Sequence, residues 1–327
     1  MDKTGFRSFL AAKGTPEKDI DSFVNIVVCF EDHLSRTSGE SSNERIEAVN
    51  IEAFSDELIK SGENTWDNYL ALARYAQFRQ DHVAFKSIVE LIDGCEVMHN
   101  LYNKVGISLG EDMRGSIFEG VDLPPMGTPN TKKPPITQTV MGRLESQTDP
   151  QTCRALLIDC LRDLPDEDYF QERKKYLACD SLDDYLEQRE TDFLAELETI
   201  KEDGGLFYTQ PVTDEVIEFM RDNPEISNVV RRGNTLYKTK IPYQTDEYLK
   251  ETDEDLKRYH YCHCPWVRES LKDGDAHISS TFCNCSAGYV KKPWEVIFGQ
   301  PLQVELLESI LDGNPRCRFA IQLPEGV

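Results

Sequence analysis

The stretch Val229-Val230-Arg231-Arg232-Gly233-Asn234-Thr235-Leu236-Tyr237-Lys238-Thr239-Lys240-Ile241 decides the fold class of this chain. Gly233-Asn234 favours the positive φ of a two-residue turn, and β-branched and aromatic residues flank it on both sides, so the spacing predicts a β-hairpin. A second hairpin is predicted at Asp312-Gly313-Asn314-Pro315. Its last strand alternates Cys317, Phe319, Ile321 and Leu323 against Arg316, Arg318, Ala320 and Gln322, which puts Cys317 on the core side. Between the hairpins, Pro293 marks a helix start, Trp294, Ile297 and Phe298 share one face, and Gly299 ends it.

The chain before Gly205 reads differently. Thr15-Pro16 supplies a cap and a first-turn proline, after which Ile20, Phe23, Val24, Val27, Val28, Phe30 and Leu34 build a wide apolar helix face. Ser38 to Asn43 breaks that pattern. One further helix follows around Phe54, Leu58 and Ile59, and another carries Tyr69, Leu70, Leu72, Ala73, Tyr75 and Phe78. From Gly120 to Thr137 the density of proline is too high for helix or central strand and predicts a linker or extended strap. Residues 138 to 203 read as acidic helices, on which Cys153 and Cys160, seven apart, share a face. The fold class is therefore α+β: an all-helical bundle over 1–119, a proline-rich linker over 120–137, and over 138–327 acidic helices plus a mostly antiparallel α+β ligand-binding domain.

The 327 residues exceed what one core usually serves. The 59 acidic against 36 basic residues give a formal charge of −23, which opposes contact with phosphate backbones and anionic membranes. No apolar run is long enough to span a membrane, and the start lacks the regions of a signal peptide. The expectation is a cytoplasmic protein without nucleic-acid or membrane partners, its oligomeric state left open. Arg231, Arg232, Lys238 and Lys240 form a local basic patch whose bland reading is a solvated strand face.

Soft ligands concentrate near the C-terminus. Residues 260 to 317 hold five of the ten cysteines, Cys262, Cys264, Cys283, Cys285 and Cys317, and three of the six histidines, His260, His263 and His277. In a reducing compartment such clusters bind metal or do chemistry more often than they form disulfides. On strands, Cys262 and Cys264 point to one side, as do Cys283 and Cys285, so two close pairs can complete a tetrahedral zinc site. A thiol nucleophile needs a histidine beside it in space, and His263 is badly placed on a strand to serve either neighbour. His277 lies in the polar loop Lys272-Asp273-Gly274-Asp275. The other cysteines, Cys29, Cys95, Cys153, Cys160 and Cys179, read as buried hydrophobes.

Three resemblances add expectations. The segment from Phe6-Leu10-Lys13-Gly14 to Thr65-Trp66-Tyr69-Leu70 resembles the core-binding helical domain of tyrosine recombinases, although residues 1–100 carry 10 Lys and Arg against 18 Asp and Glu. The stretch Cys283-Asn284-Cys285-Ser286-Ala287-Gly288-Tyr289, with Phe298-Gly299-Gln300-Pro301-Leu302, Val304-Glu305, Glu308-Ser309 and Cys317-Arg318-Phe319, resembles the 4-vinyl reductase or hydrocarbon-binding domain. The closing Gly313 to Cys317-Arg318-Phe319 pattern also resembles aminothiazoline-carboxylate hydrolases. With Tyr259-His260-Tyr261-Cys262-His263-Cys264-Pro265 ahead of it, the whole is similar to an uncharacterised prokaryotic family. The second resemblance implies an α+β sensor of small molecules in which residues matching Cys283 and Cys317 hold zinc. The positions matching its remaining ligands are Leu306 and Ser309, so Cys262, Cys264 and Cys285 would have to supply them, or Glu305 or Glu308 after a register shift.

These readings yield a small-molecule-binding, sensory or regulatory protein with a zinc site among Cys262, Cys264, Cys283, Cys285 and Cys317. Its ligand would sit against Trp294, Ile297, Phe298, Phe319 and Ile321. The alternative is a thiol- or metal-dependent hydrolase of a small sulfur- or nitrogen-containing compound. No complete catalytic set is visible in the sequence, and enzymatic activity is left open.

Overall fold

A computed structural model describes residues 1–37, 46–273 and 277–327, apart from the side chain of Asp273. The expected break at Ser38 to Asn43, and Gly274-Asp275 of the polar loop, lie outside these residues. The chain divides into two compact units, one of residues 1–95 with 123–133, the other of residues 96–122 with 134–327.

The first unit is helical, as the N-terminal apolar periodicity requires. Its helices are α1 (Lys3–Ala12), α2 (Glu17–Thr37), α3 (Ala48–Ser61), α4 (Trp66–Phe78) and α5 (His82–Ile92). Asp2, Thr65 and Asp81 cap α1, α4 and α5 by accepting from main-chain N–H groups that have no partner inside the helix. Phe6, Phe30, Phe54, Leu58, Tyr69 and Tyr75 belong to one core. Residues 123–133 of the proline-rich stretch lie along this bundle: Ser55 donates to the Gly127 carbonyl at 2.8 Å, and Asn64 to that of Met126 at 3.0 Å. Gly127 sits at φ 94°, where a Cβ would run into the Tyr69 hydroxyl, so the close approach requires glycine.

The second unit opens with α6 (Val97–Leu109) and α7 (Glu111–Ile117) and continues with α8 (Pro134–Gln147), α9 (Pro150–Ile158), α10 (Phe170–Ala178) and α11 (Leu182–Glu202). Helix α8 begins inside the segment expected to be extended through Thr137, because Pro134 and Pro135 fall in its first turn, where no intrahelical N–H is lost. A two-residue hairpin of β1 (Leu206–Phe207) and β2 (Gln210–Pro211) precedes α12 (Asp214–Asp222) and α13 (Pro224–Ser227).

The hairpin at Gly233-Asn234 forms as the sequence predicts, between β3 (Val230–Arg232) and β4 (Thr235–Thr239). After α14 (Thr245–Lys250), α15 (Glu254–Tyr261), α16 (Arg268–Asp273) and α17 (Asn284–Phe298) come β5 (Val304–Glu308) and β6 (Arg318–Gln322). The four strands make one antiparallel sheet in the order β3-β4-β6-β5, with Phe319 opposite both Lys238 and Leu306. The fold is α+β, a helical N-terminal region followed by a mixed C-terminal one. Among the described residues no helix is long and apolar enough to cross a membrane.

A second element departs from its expected form. Helix α17 starts at Asn284, nine residues before Pro293, which lies within it. Ser286-Ala287-Gly288 are helical, and their small size has a packing reason. A Cβ at Gly288 would stand 3.1 Å from the Cα of Cys160 and closer still to the Ile158 carbonyl, so α17 presses on the end of α9 at this point. Gly288→Ala is expected to cost about 1–3 kcal/mol in a urea unfolding series, since rigid backbone rather than a movable side chain stands in the way. An unchanged midpoint would mean that the two helices separate at no cost.

Candidate thiol site

Tyr261 organises the site. It is fully buried at the end of α15, where its hydroxyl donates to the Lys240 carbonyl at 2.6 Å and accepts from the Cys317 N–H at 3.2 Å. Lys240 N–H in turn donates to the Cys317 carbonyl at 3.0 Å. The residue following Tyr261, Cys262, is thereby brought to the chain entering β6. The next turn is closed by Val267 and Arg268, whose N–H groups donate to the Cys264 carbonyl at 3.1 and 2.8 Å.

The Cys283 side arrives from another direction. Ser279 caps a 3-10 turn, Ser280–Cys283, which packs against a second one, Ile310–Asp312. Ser309, itself buried, hydrogen bonds through its side chain to the Cys283 thiol, and the main chain of Ile310 does so to that of Cys317. Adjacent residues thus reach two sulfurs from different parts of the sequence.

The pairs do not lie on strands, contrary to the sequence expectation. Cys262 caps α15, Cys264 lies in the following loop, Cys283 ends a 3-10 turn and Cys285 is in α17. The alternation that suggested strands is instead produced where a helix begins or ends, and same-side projection is not what assembles the sulfurs. Cys153 and Cys160 do not share a helix face either: α9 stops at Ile158, and Asp159 is extended.

Burial pushes every one of these thiols up: Cys262 to about 11, Cys264 and Cys285 to about 12, Cys283 well above its ordinary value, and Cys317 upward. Neighbouring sulfurs add to the rise, Cys317 for Cys262 and Cys283, Cys262 for Cys264, and Cys264 for Cys285. Opposing it are main-chain hydrogen bonds from Cys264 to Cys262 and from Trp266 to Cys264, the contacts from Ser309 and Ile310 already described, and the charge of Lys240. Among the described residues, no group of three or more His, Cys, Asp or Glu side chains is placed so that it could hold a metal ion.

His263 Nε2 lies 2.5 Å from the Ile241 carbonyl, and His260 Nδ1 lies 3.3 Å from Gln244 Oε1. His277 is exposed. Trp294, Ile297, Phe319 and Ile321 are buried in one core with Tyr185, Leu236 and Tyr261, and Phe298 packs against it. Trp294 stacks on Phe298 at 5.9 Å, and Tyr176 meets Phe298 edge-on at 5.3 Å. Two clefts of about 440 and 350 Å³ lie elsewhere in this unit, one around Glu225, Arg316 and Arg318, the other around Phe170, Arg173 and Lys292.

The four cations of the expected basic patch are each committed separately. Arg231 faces Asp183 and the Val327 carbonyl, Arg232 pairs with Glu225 at 2.9 Å, and Lys240 reaches Ser286. Lys238 caps the end of α13 by donating to the carbonyls of Ile226 and Asn228 at 2.6 and 2.7 Å. Sequence reasoning missed Tyr261, Lys240 and Cys160 as parts of this region, and reached Ser309 only as a position that matches a zinc ligand of the resembled domain; Tyr261 carried a signal as an aromatic residue directly ahead of Cys262.

A protein-family profile described as a family of unknown function (DUF6144) matches residues 234–327, the stretch that holds β4 to β6 and five of the cysteines. No curated protein and no solved structure matches the chain.

Proposed function

We propose that the C-terminal unit is a thiolate metal-binding module of a cytosolic protein, in which Cys262, Cys264, Cys283 and Cys317 take up zinc. The observation that carries this reading is that each of these four sulfurs meets a hydrogen-bonding group that favours its thiolate. Four thiolates around a divalent zinc leave roughly two negative charges. Lys240, Arg268 and Arg162 stand close enough to act on the thiols, and they supply compensating charge. The resemblance to the hydrocarbon-binding domain supports the same reading at Cys283 and Cys317. Uptake has to draw the sulfurs inward by side-chain rotation, a cost that the ion's binding energy offsets.

The sensory reading has less support, because the five side chains expected to wall a ligand pocket fill one another's space. A thiol hydrolase has less still: burial favours the neutral thiols, and His260 and His263 are engaged elsewhere.

Elemental analysis of protein purified without chelator tests the proposal. We expect at least about one zinc per chain, lost together with thermal stability in Cys283→Ser and kept in Cys29→Ser. Folded, zinc-free protein whose melting responds neither to added zinc nor to Cys283→Ser would overturn it.

A further inference from the structure

The cleft of about 440 Å³ beside α13 lies on the face of the sheet that the core does not use. Phe319, opposite Lys238, faces the core, so its neighbour Arg318, opposite Thr239, projects to the other side, as does Tyr237 opposite Ala320. Three arginines line the cleft, Arg232, Arg316 and Arg318, against the carboxylates of Asp222 and Glu225. In a chain of formal charge −23 this is a local reversal of sign. The arginines are also held in place. Glu225 accepts from Arg318 Nε at 2.7 Å and Nη2 at 3.0 Å, and from Arg232 Nη2 at 2.9 Å. Glu308 takes Arg316 in the same forked way, from Nε at 2.8 Å and Nη2 at 2.9 Å. The Tyr237 ring carries both Arg232 and Arg318, whose guanidinium carbons lie 5.0 and 4.9 Å from its centroid. These contacts leave donors over: among the described residues, Nη1 of Arg232 and of Arg316 makes no hydrogen bond.

We infer that this cleft binds a small phosphorylated molecule, whose phosphate oxygens accept from Arg232 and Arg316 while Arg318 supplies charge beside them. A flat carboxylate offers two oxygens, enough for one guanidinium fork, whereas a phosphate monoester offers three and can serve donors from separate parts of the sheet. The cleft is larger than a bare phosphate and of the size of small-molecule sites, which leaves room for the rest of the ligand. Arginines held in advance by Glu225, Glu308 and Tyr237 lose little freedom on binding. The inference is independent of the proposed zinc site, from which the sheet separates it.

Calorimetric titration of the reduced full chain with phenyl phosphate and with benzoate, at one fixed ionic strength, tests the inference. Wild type is expected to bind phenyl phosphate saturably, at about one equivalent, and benzoate at least about tenfold more weakly. Arg232→Ala and Arg316→Ala remove side chains that are 58 and 45 % exposed, so both variants should melt close to wild type. Each should lose about tenfold or more in affinity for phenyl phosphate. Arg231→Ala, outside the cleft, should lose none. Absence of saturable binding to wild type overturns the inference and leaves the arginines as ties between α13 and the sheet. Affinity unchanged in both folded alanine variants overturns it as well, because the anion would then sit elsewhere. Equal affinity for benzoate overturns the assignment to phosphate.

Discussion

Phe319→Ala is expected to destabilise the C-terminal unit by about 3–5 kcal/mol, the usual cost of removing a buried aromatic side chain whose surroundings cannot collapse. Phe319 is inaccessible to solvent near the start of β6, flanked across the sheet by Lys238 and Leu306. Trp294, Ile297 and Ile321 share its cluster. A sheet partner on each side holds the strand in place, so neighbouring backbone cannot move in to fill the space. Trp266 and Trp294 are buried in this unit, and urea unfolding followed by their fluorescence reads the change. A loss below about 1 kcal/mol would mean that Phe319 lines an open cavity rather than a packed core. The small-molecule reading would then regain its site.

The parts of this fold that were legible in sequence are those where local chemistry and tertiary packing ask for the same thing. Gly233-Asn234 satisfies its own turn, and the strands beside it need only a partner. The apolar stripe from Phe23 to Phe30 has the helical period and finds a helical core. Helix α17 was misread because its features conflict locally: an interior proline costs a helix about 3 kcal/mol, so Pro293 reads as a beginning. The alternation of Cys283 and Cys285 reads as a strand. The cost is met by packing, since Ala287, Val290, Trp294 and Ile297 are all buried. The thiol site was legible as a list of residues and not as a geometry. The adjacent residues Ser309 and Ile310 reach the Cys283 and Cys317 sulfurs from one turn, and Gly288 brings α17 against Cys160. Neither relation leaves a local sequence pattern. The basic patch failed for a related reason: the sequence shows four cations close together but not the carboxylates and carbonyls that claim each one.

Stability against pH should separate metal-loaded from chelator-stripped protein in opposite directions on the alkaline side. In stripped protein the folded thiols keep their protons to about 11 at Cys262 and about 12 at Cys264, whereas unfolded thiols release theirs near the ordinary value of 9.0. A raised folded pKa gives stability that is fully present below the unfolded value and is lost as pH rises through the folded one. Each such thiol therefore loses about 1.4 kcal/mol per pH unit above about 9. Lys238 has the reverse sign. Burial lowers it to about 7, so above that pH the unfolded chain holds the extra proton and stability rises toward 10.5. The raised tyrosines Tyr75, Tyr169 and Tyr185 join the alkaline loss only above 10.0, which leaves pH 9 to 10 as the window for the thiols. Lysine and tyrosine contributions are common to both forms and cancel in the difference between them. Bound zinc holds thiolates that have no proton to lose, and its own failure comes on the acid side, where protons compete for sulfur. The loaded-minus-stripped stability is therefore expected to grow steeply from pH 9 to 10 in chemical denaturation and to shrink in acid. Parallel curves for the two forms would show that these cysteines are not the ligands, whatever the zinc content of the purified protein.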